Sequence, residues 1–159
     1  MNYYDAIADG YDELHGDEQL EKYRVLEMLV LIEAEETILD LGHGSGLICS
    51  VFDNPILGID TAQDLLARSP ARTTRVDFDE PLPFEDASYD WVVSFTALHH
   101  ARNPEAVIGE AQRIARRGAA FSVLRALDSY ERLTTLFPSE EWNGYEAGAD
   151  MLFVWLRES

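Results

Sequence analysis

The sequence predicts an α/β domain built on a mostly parallel sheet that helices cover on both faces. Short apolar runs alternate with longer helical segments along most of the chain. The predicted strands are continuously apolar, which is typical of parallel strands buried on both faces. The 159 residues fit one domain, and 47% of them are hydrophobic, which excludes a disordered chain and allows a sizeable core.

Residues 1–17 are rich in Tyr and Asp and have no clear period, whereas residues 18–32 form a predicted amphipathic helix. The apolar side of this helix carries Tyr23, Leu26 and Val30. Strands are predicted at 37–42, 56–60, 73–78, 89–95, 119–125 and 151–157, with a weaker one within 140–147. Helices are predicted at 46–52, 62–69, 103–118 and 129–137.

The helix predicted at 103–118 has recognisable end signals. Asn103 suits its N-cap, Pro104 its first turn and Gly118 its C-cap. Arginines near its end are expected to be solvated and to complement the helix dipole. They are Arg113, Arg116 and Arg117.

The chain is strongly acidic, with 30 Asp and Glu, 12 Lys and Arg and a formal net charge of −18. Such a surface repels phosphate backbones, so direct nucleic-acid binding is disfavoured. Two explanations stay open: an acidic surface that keeps the protein soluble in high salt, or a basic partner or cationic substrate.

No apolar run reaches the length of a membrane helix, and the N-terminus lacks the order of a signal peptide, so we expect a cytoplasmic protein that does not bind membranes. The single cysteine, Cys49, excludes an internal disulfide and a cysteine-based zinc site. The four histidines match no standard metal-site spacing, so no metal is predicted.

The stretch "ILDLGHGSG" ends the first predicted strand. Asp40 is followed by Gly42, Gly44 and Gly46, which permit a tight turn and close approach of a ligand. The dinucleotide fingerprint G-x-G-x-x-G requires a third glycine where Leu47 stands, which weighs against a nicotinamide cofactor.

Acids also end the next two strands. Asp60 is placed to accept hydrogen bonds from ribose hydroxyls, although an acid there can also cap a helix. Asp77 can accept from an adenine amino group while Phe78 covers the ring, although Asp77 could equally be a solvated turn residue. Acids at three successive strand ends are a stronger signal of nucleoside binding than the glycine loop alone.

Together these motifs resemble the class I S-adenosylmethionine-dependent methyltransferases, specifically the small methyltransferase type 11 kind (ubiquinone-biosynthesis-like, UbiE). "ILDLGHGSG" resembles their first motif, D-x-G-C/S-G-T/S-G, and "LGID" their acidic second motif. "VDFDEPLPFEDASYDWVVSFTALHH" is similar to their tract D-x-x-x-L-P-F-x-D-x-S-F-D-x-V followed by Leu-His-His. "YYDAIADGYDELHG" resembles their N-terminal cap, so the resemblance covers nearly the whole chain.

The resemblance implies a doubly wound, Rossmann-like fold with an antiparallel last strand and S-adenosylmethionine as cofactor, with S-adenosylhomocysteine as product. It implies one domain over 1–159: a cap and helix at 1–32, a cofactor-binding core at 37–125, and a helix and strands at 126–159. It also implies roles for individual residues. Cofactor contacts are expected from Tyr4, Tyr11, Asp40, Gly42, His43, Gly44, Gly46, Asp60, Thr61, Asp77, Phe78 and Phe95.

His43 departs from the family, which more often has Cys, Ser, Ala or Pro there, and it could add a polar group near the methionine carboxylate. His99 and His100 are weak candidates for a general base, because a neutral imidazole near pH 7 suits that task. His15 is a weaker one. Either histidine of the pair could instead simply shape the pocket wall.

The expected function is methyl transfer to an unidentified acceptor, which we expect to be a small molecule. "SFTALHH" follows the fourth strand in place of Asn-Pro-Pro-Tyr, which argues against amide or exocyclic amine acceptors of that type. The alternatives are a non-catalytic cofactor-binding or regulatory subunit, and a methyltransferase of a macromolecule that acts with a protein partner. The oligomeric state is not readable from the sequence.

Overall fold

The computed structural model describes residues 20–158. Residues 20–29 are helical and are labelled α1. The seven strands of the described region are β1 Ile38–Leu41, β2 Ile56–Asp60, β3 Arg72–Arg75, β4 Tyr89–Phe95, β5 Ala115–Leu124, β6 Asn143–Ala147 and β7 Asp150–Leu156. The other helices are α2 Gln63–Leu66, α3 Pro104–Ile114 and α4 Tyr130–Thr134, with 3-10 turns at Leu47–Ser50 and Leu98–His100.

The strands form one sheet in the order β3-β2-β1-β4-β5-β7-β6. The first five of these pair in parallel, and β7 runs antiparallel to both β5 and β6. The predicted α/β fold with an antiparallel last strand is therefore confirmed. The strand order reverses direction between β1 and β4, and ligands of such sheets bind beyond the carboxyl ends of the strands at that point.

The central strands β1, β4 and β5 are buried on both faces, as continuous apolar strands predict, whereas the edge strands β3 and β6 are largely exposed. Along β4, Trp91 and Val93 pack with Leu26 of α1 on one face. Val92 packs with Val107 of α3 on the other face. Alternate residues of a strand point to opposite faces, so β4 needs apolar side chains at successive positions.

The prediction that the helix at 103–118 ends on Gly118 is wrong. The helix ends at Ile114, and β5 begins at Ala115 and pairs with β4, where Gly118 lies opposite Trp91. A Cβ atom on Gly118 would lie 2.5 Å from the carbonyl oxygen of Trp155 and 2.7 Å from the Trp91 ring. Close packing of the sheet, and not a helix cap, therefore requires glycine there.

The expectation for the three arginines also needs correction. Arg116 and Arg117 lie in β5, where Arg116 pairs with Asp90 and Arg117 Nη1 lies 2.7 Å from Glu36 Oε2. Arg113 does lie in the last turn of α3, but its guanidinium binds Glu110 at 2.7 Å. Arg116 and Arg117 are exposed, as expected, but they belong to a strand and not to a helix end, and all three arginines pair with carboxylates.

Within residues 20–158, none of the helices has the length and apolar character needed to span a bilayer.

Candidate functional site

The glycine loop after β1 is built from residues with positive φ. Gly42, Gly44 and Gly46 have φ values of 76°, 61° and 87°. Side chains disfavour this left-handed region, which costs a non-glycine residue about 1–2 kcal/mol. A Cβ atom on Gly42 would also lie 2.6 Å from the Cβ of Ala97, which follows β4. The loop conformation and its close approach to the end of β4 account for the alternating glycines.

His43 points into the protein from this loop. Its Nδ1 lies 2.9 Å from Asp40 Oδ2 and its Nε2 lies 2.7 Å from Ser69 Oγ. The ring lies over Gly58 of β2, where a Cβ atom would come within 2.1 Å of it. The side chain of His43 thus ties the loop to the segment after α2, and only the backbone of His43 is near the cleft described below.

Asp40 is the buried partner of His43. Its side chain is 1% exposed, and burial raises the pKa of its carboxyl although the His43 hydrogen bond opposes that rise. Its second oxygen, Oδ1, has no hydrogen-bond partner among residues 20–158. The Asp40 carboxylate therefore depends on His43 for its one side-chain hydrogen bond in the described region.

Asp60, at the end of β2, fixes the opposite side of the loop. The backbone N–H of Gly44 donates to its Oδ2 at 2.8 Å, and the N–H of Ala62 donates to its Oδ1 at 3.0 Å. Asp60 is half-buried, and each carboxylate oxygen keeps a further acceptor site. The side chain can therefore hold the loop and accept from a ligand's hydroxyl groups at once.

A cleft opens at the carboxyl ends of β1, β2 and β4. Its lining residues are Gly42, Gly44, Asp60, Leu65, Phe78, Phe95, Thr96, Ala97 and His100. The cleft brings together the carboxylate of Asp60, which is expected to accept hydrogen bonds from ribose hydroxyls, and the aromatic side chains of Phe78 and Phe95. Phe95 is 3% exposed and stacks on Tyr23 of α1 with ring centroids 4.3 Å apart.

Other residues expected at the site lie beside this cleft or outside the described region. Because β3 ends at Arg75, Asp77 lies in the loop beyond it, where its Oδ1 accepts from the N–H of Asp79 at 2.9 Å. Thr61 is exposed next to Asp60. Tyr4, Tyr11 and His15 lie outside the described residues.

The histidine pair follows β4 in the second 3-10 turn. The two rings of His99 and His100 contact each other with centroids 3.9 Å apart. Desolvation lowers the pKa of His99 from 6.5 to about 4, and it lowers the pKa of His100 as well. Both imidazoles are therefore neutral near pH 7, and His100 is the one that lines the cleft.

Sequence reasoning missed a buried polar network behind the cleft. Lys22 Nζ donates to Thr96 Oγ1 at 2.8 Å and lies 3.3 Å from Asp150 Oδ2. One signal in the sequence could have found it. Lys22 is the single lysine of the chain, and it lies four residues before Leu26, which places it on the apolar side of the helix.

A second cavity, of about 520 Å³, lies at the amino ends of β2 and β3 and includes Cys49 in its lining. This cavity lies at the opposite ends of the strands from the acids and the glycine loop. Burial raises the pKa of the Cys49 thiol, so it is a weak nucleophile there. We place the functional site at the carboxyl ends of the strands.

Comparison with known proteins identifies relatives of this arrangement. A family model described as a methyltransferase domain matches residues 39–123. The 27-O-demethylrifamycin SV methyltransferase of Amycolatopsis mediterranei is 28% identical over 151 residues, which cover 76% of this chain and 55% of that protein. An uncharacterized protein of Methanocaldococcus jannaschii is 29% identical over 120 residues, covering 74% and 58%. The chain spans about half the length of the curated relatives it matches.

Some solved structures match this chain over nearly their whole length. A chain from the complex between the Haloferax volcanii Trm112 methyltransferase activator and a methyltransferase superposes with a TM-score of 0.79 at 18% identity, covering 100% of this chain and 99% of that one. A methyltransferase dependent on S-adenosylmethionine from Aquifex aeolicus superposes with a TM-score of 0.74 at 13% identity, covering 98% and 99%. At such identities these matches establish the fold alone.

Proposed function

The chain belongs to the class I S-adenosylmethionine-dependent methyltransferases, since the methyltransferase family model matches residues 39–123 of its 159, and from this premise we propose that it transfers a methyl group from S-adenosylmethionine to an acceptor.

The hydrogen bond from the Gly44 N–H to Asp60 carries this proposal. In dinucleotide-binding folds, the N–H groups of the glycine loop and the start of the following helix face a pyrophosphate. Here a carboxylate oxygen takes the Gly44 N–H at 2.8 Å, and only a four-residue 3-10 turn follows the loop. A carboxylate there repels phosphate, whereas a nucleoside that has no phosphate and carries a positive sulfonium suits the site.

We propose a role for each described group from its position in or beside the cleft, and for Tyr4 and Tyr11 from the family resemblance alone. Asp60 accepts from the ribose hydroxyls, and Thr61 stands beside it. Phe78 covers the adenine ring, and Asp77 accepts from its amino group. The backbone of the glycine loop surrounds the methionine portion, and Asp40 and His43 act by holding that loop in shape. Phe95 forms the cleft wall, and Tyr4 and Tyr11 are proposed to cover the cofactor.

When bound, S-adenosylmethionine supplies an electrophilic methyl group on a sulfonium that is already an excellent leaving group. The protein's own contribution is therefore positioning and exclusion of water. The neutral imidazole of His100 lines the cleft and is the better-placed candidate to accept a proton from an acceptor that starts protonated. His99 is proposed as a wall residue next to it.

We propose a small molecule as the acceptor. The rifamycin methyltransferase, which acts on a small molecule, supports this class because it aligns with 76% of this chain. The acidic character of the chain, with a net charge of −18, also disfavours direct contact with nucleic acid.

A second candidate is a macromolecular acceptor that is reached together with a partner subunit. The observation that favours it is the Haloferax volcanii structure, in which the matching fold is found in a complex with the Trm112 activator. A partner could contribute the basic surface that this acidic chain lacks.

Transfer of a labelled methyl group distinguishes the two candidates. The purified chain is incubated with methyl-labelled S-adenosylmethionine and either a small-molecule or a macromolecular fraction, with and without a Trm112-type activator. Label in the small-molecule fraction without activator supports the first candidate. Label only in macromolecules and only with activator supports the second. No transfer under any condition contradicts the enzymatic proposal, and Asp60→Ala serves as the control that should reduce any transfer.

A further inference from the structure

We propose that Lys22 is a positioning residue that fixes the β4 wall of the cofactor cleft through Thr96 and Asp150, and that this position requires a lysine. The inference rests on the proposed function, because it concerns the cleft that holds the cofactor. Lys22 does not itself line that cleft.

Lys22 is the only lysine among the 12 Lys and Arg residues of the chain, and it is buried. Its side chain is 3% exposed and that of Asp150 is 0% exposed. Taking two charges out of water costs several kcal/mol per ion, and apolar residues of similar volume often stabilise a protein as well as or better than a buried ion pair. Fold stability alone is thus a poor explanation for this pair.

Thr96 is the residue that the pair holds. It has a φ of 52°, an outlier for a β-branched side chain, with a cost of about 1–3 kcal/mol. Side chains of the described region hold it: Lys22 Nζ donates to its Oγ1 at 2.8 Å, its Oγ1 donates to Asp150 Oδ2 at 2.8 Å, and its N–H donates to Ser122 Oγ at 2.9 Å. Strain that is held this way is typical of functional sites.

The backbone at Thr96 controls the cleft on both sides. Phe95 before it and Ala97 after it both line the cleft, as Thr96 itself does. Ala97 abuts Gly42 of the glycine loop so closely that no Cβ atom fits between them. A relaxation of Thr96 to negative φ would therefore move the aromatic wall and displace the glycine loop.

The geometry also explains why lysine occupies this position in a chain whose other basic residues are arginines. The Lys22 side chain is 3% exposed, and among residues 20–158 the oxygens of Thr96 and Asp150 both face its single nitrogen. A compact ammonium fits this arrangement, whereas the wider, planar guanidinium of arginine needs more space and more acceptors.

The first test replaces both charges by apolar residues of similar volume, in Lys22→Met/Asp150→Leu. We expect this variant to unfold cooperatively with near wild-type stability, but to bind S-adenosylhomocysteine at least tenfold more weakly in calorimetry. Lys22→Arg should lose affinity to a similar extent. Wild-type affinity in a folded double variant would overturn the inference.

A matched pair at Thr96 keeps the test decisive if the double variant does not fold. Both Thr96→Gly and Thr96→Val remove the hydroxyl group, but only glycine tolerates a φ of 52° without strain. We expect Thr96→Val to bind S-adenosylhomocysteine at least tenfold more weakly than Thr96→Gly. Equal affinities for the pair would overturn the inference. If the wild-type protein binds no S-adenosylhomocysteine, the proposed function fails and this inference with it.

Discussion

Replacing His43 should destabilise the protein by breaking its buried contact with Asp40. His43→Leu removes the partner of Asp40 Oδ2 without leaving a large cavity, and Asp40 Oδ1 already has no partner among residues 20–158. Leaving a buried charged group unpartnered costs about 3 kcal/mol or more. Asp40→Asn should cost less, about 1 kcal/mol, because an amide removes the buried charge and can still hydrogen-bond.

The assay is denaturant unfolding of the four members of the cycle: wild type, both single variants and the double variant. We expect the double variant to be less destabilised than the sum of the singles by about 1–2 kcal/mol. An acid whose folded pKa is raised above its unfolded value favours the folded state at low pH and loses that contribution as pH rises. His43 lowers the pKa of Asp40, so its loss should raise that pKa further, and the cost of His43→Leu should shrink as pH falls. Additive single variants, or a cost of His43→Leu below about 1 kcal/mol, would refute the reasoning.

Three further predictions concern the site and the surface. Asp60→Ala should weaken S-adenosylhomocysteine binding at least tenfold in calorimetry, while the variant still unfolds cooperatively. Replacement of the exposed Asp128 by alanine is the matched control. Unchanged affinity in Asp60→Ala would contradict the proposed role of Asp60 in binding ribose. Because the folded pKa of His99 is about 4, below its ordinary 6.5, its contribution to stability is present above pH 6.5 and lost as pH falls towards 4. Allowing for partial exposure, wild type should lose about 1–2 kcal/mol more than His99→Gln over that range in denaturant unfolding, and parallel curves would contradict this. If the net charge of −18 reflects adaptation to salt, the melting temperature should rise up to molar salt, beyond the range where ordinary screening saturates, whereas a flat curve would favour a basic partner.

The sequence predicts the central strands well because they are buried on both faces. The bounds of β2 and β4 agree with their apolar runs, at Ile56–Asp60 and Tyr89–Phe95. The end of α3 was mispredicted because "ARRG" carries helix-end signals, whereas pairing of Ala115 and Gly118 with β4 draws these residues into a strand. Tertiary pairing outweighed the local signal there.

Part of the candidate site could likewise be predicted from the sequence, and part could not. Asp60 and the glycine loop could be placed together from sequence, because carboxyl ends of parallel strands share one edge of the sheet. The network of Lys22, Thr96 and Asp150 could not be predicted from the sequence. Lys22 and Thr96 are 74 residues apart, and their contact with Asp150 depends on the pairing of β7 with β5. The inward direction of the His43 side chain depends likewise on the space left by Gly58 in the neighbouring strand.

Calorimetric titration of the purified chain with S-adenosylmethionine, S-adenosylhomocysteine and NAD, at low and at molar salt, tests the central claim most directly. The account predicts that the first two bind and that NAD does not, because Asp60 occupies the loop N–H that a pyrophosphate would need. Binding of NAD, or no binding of either S-adenosyl compound by a cooperatively folded chain, would contradict it.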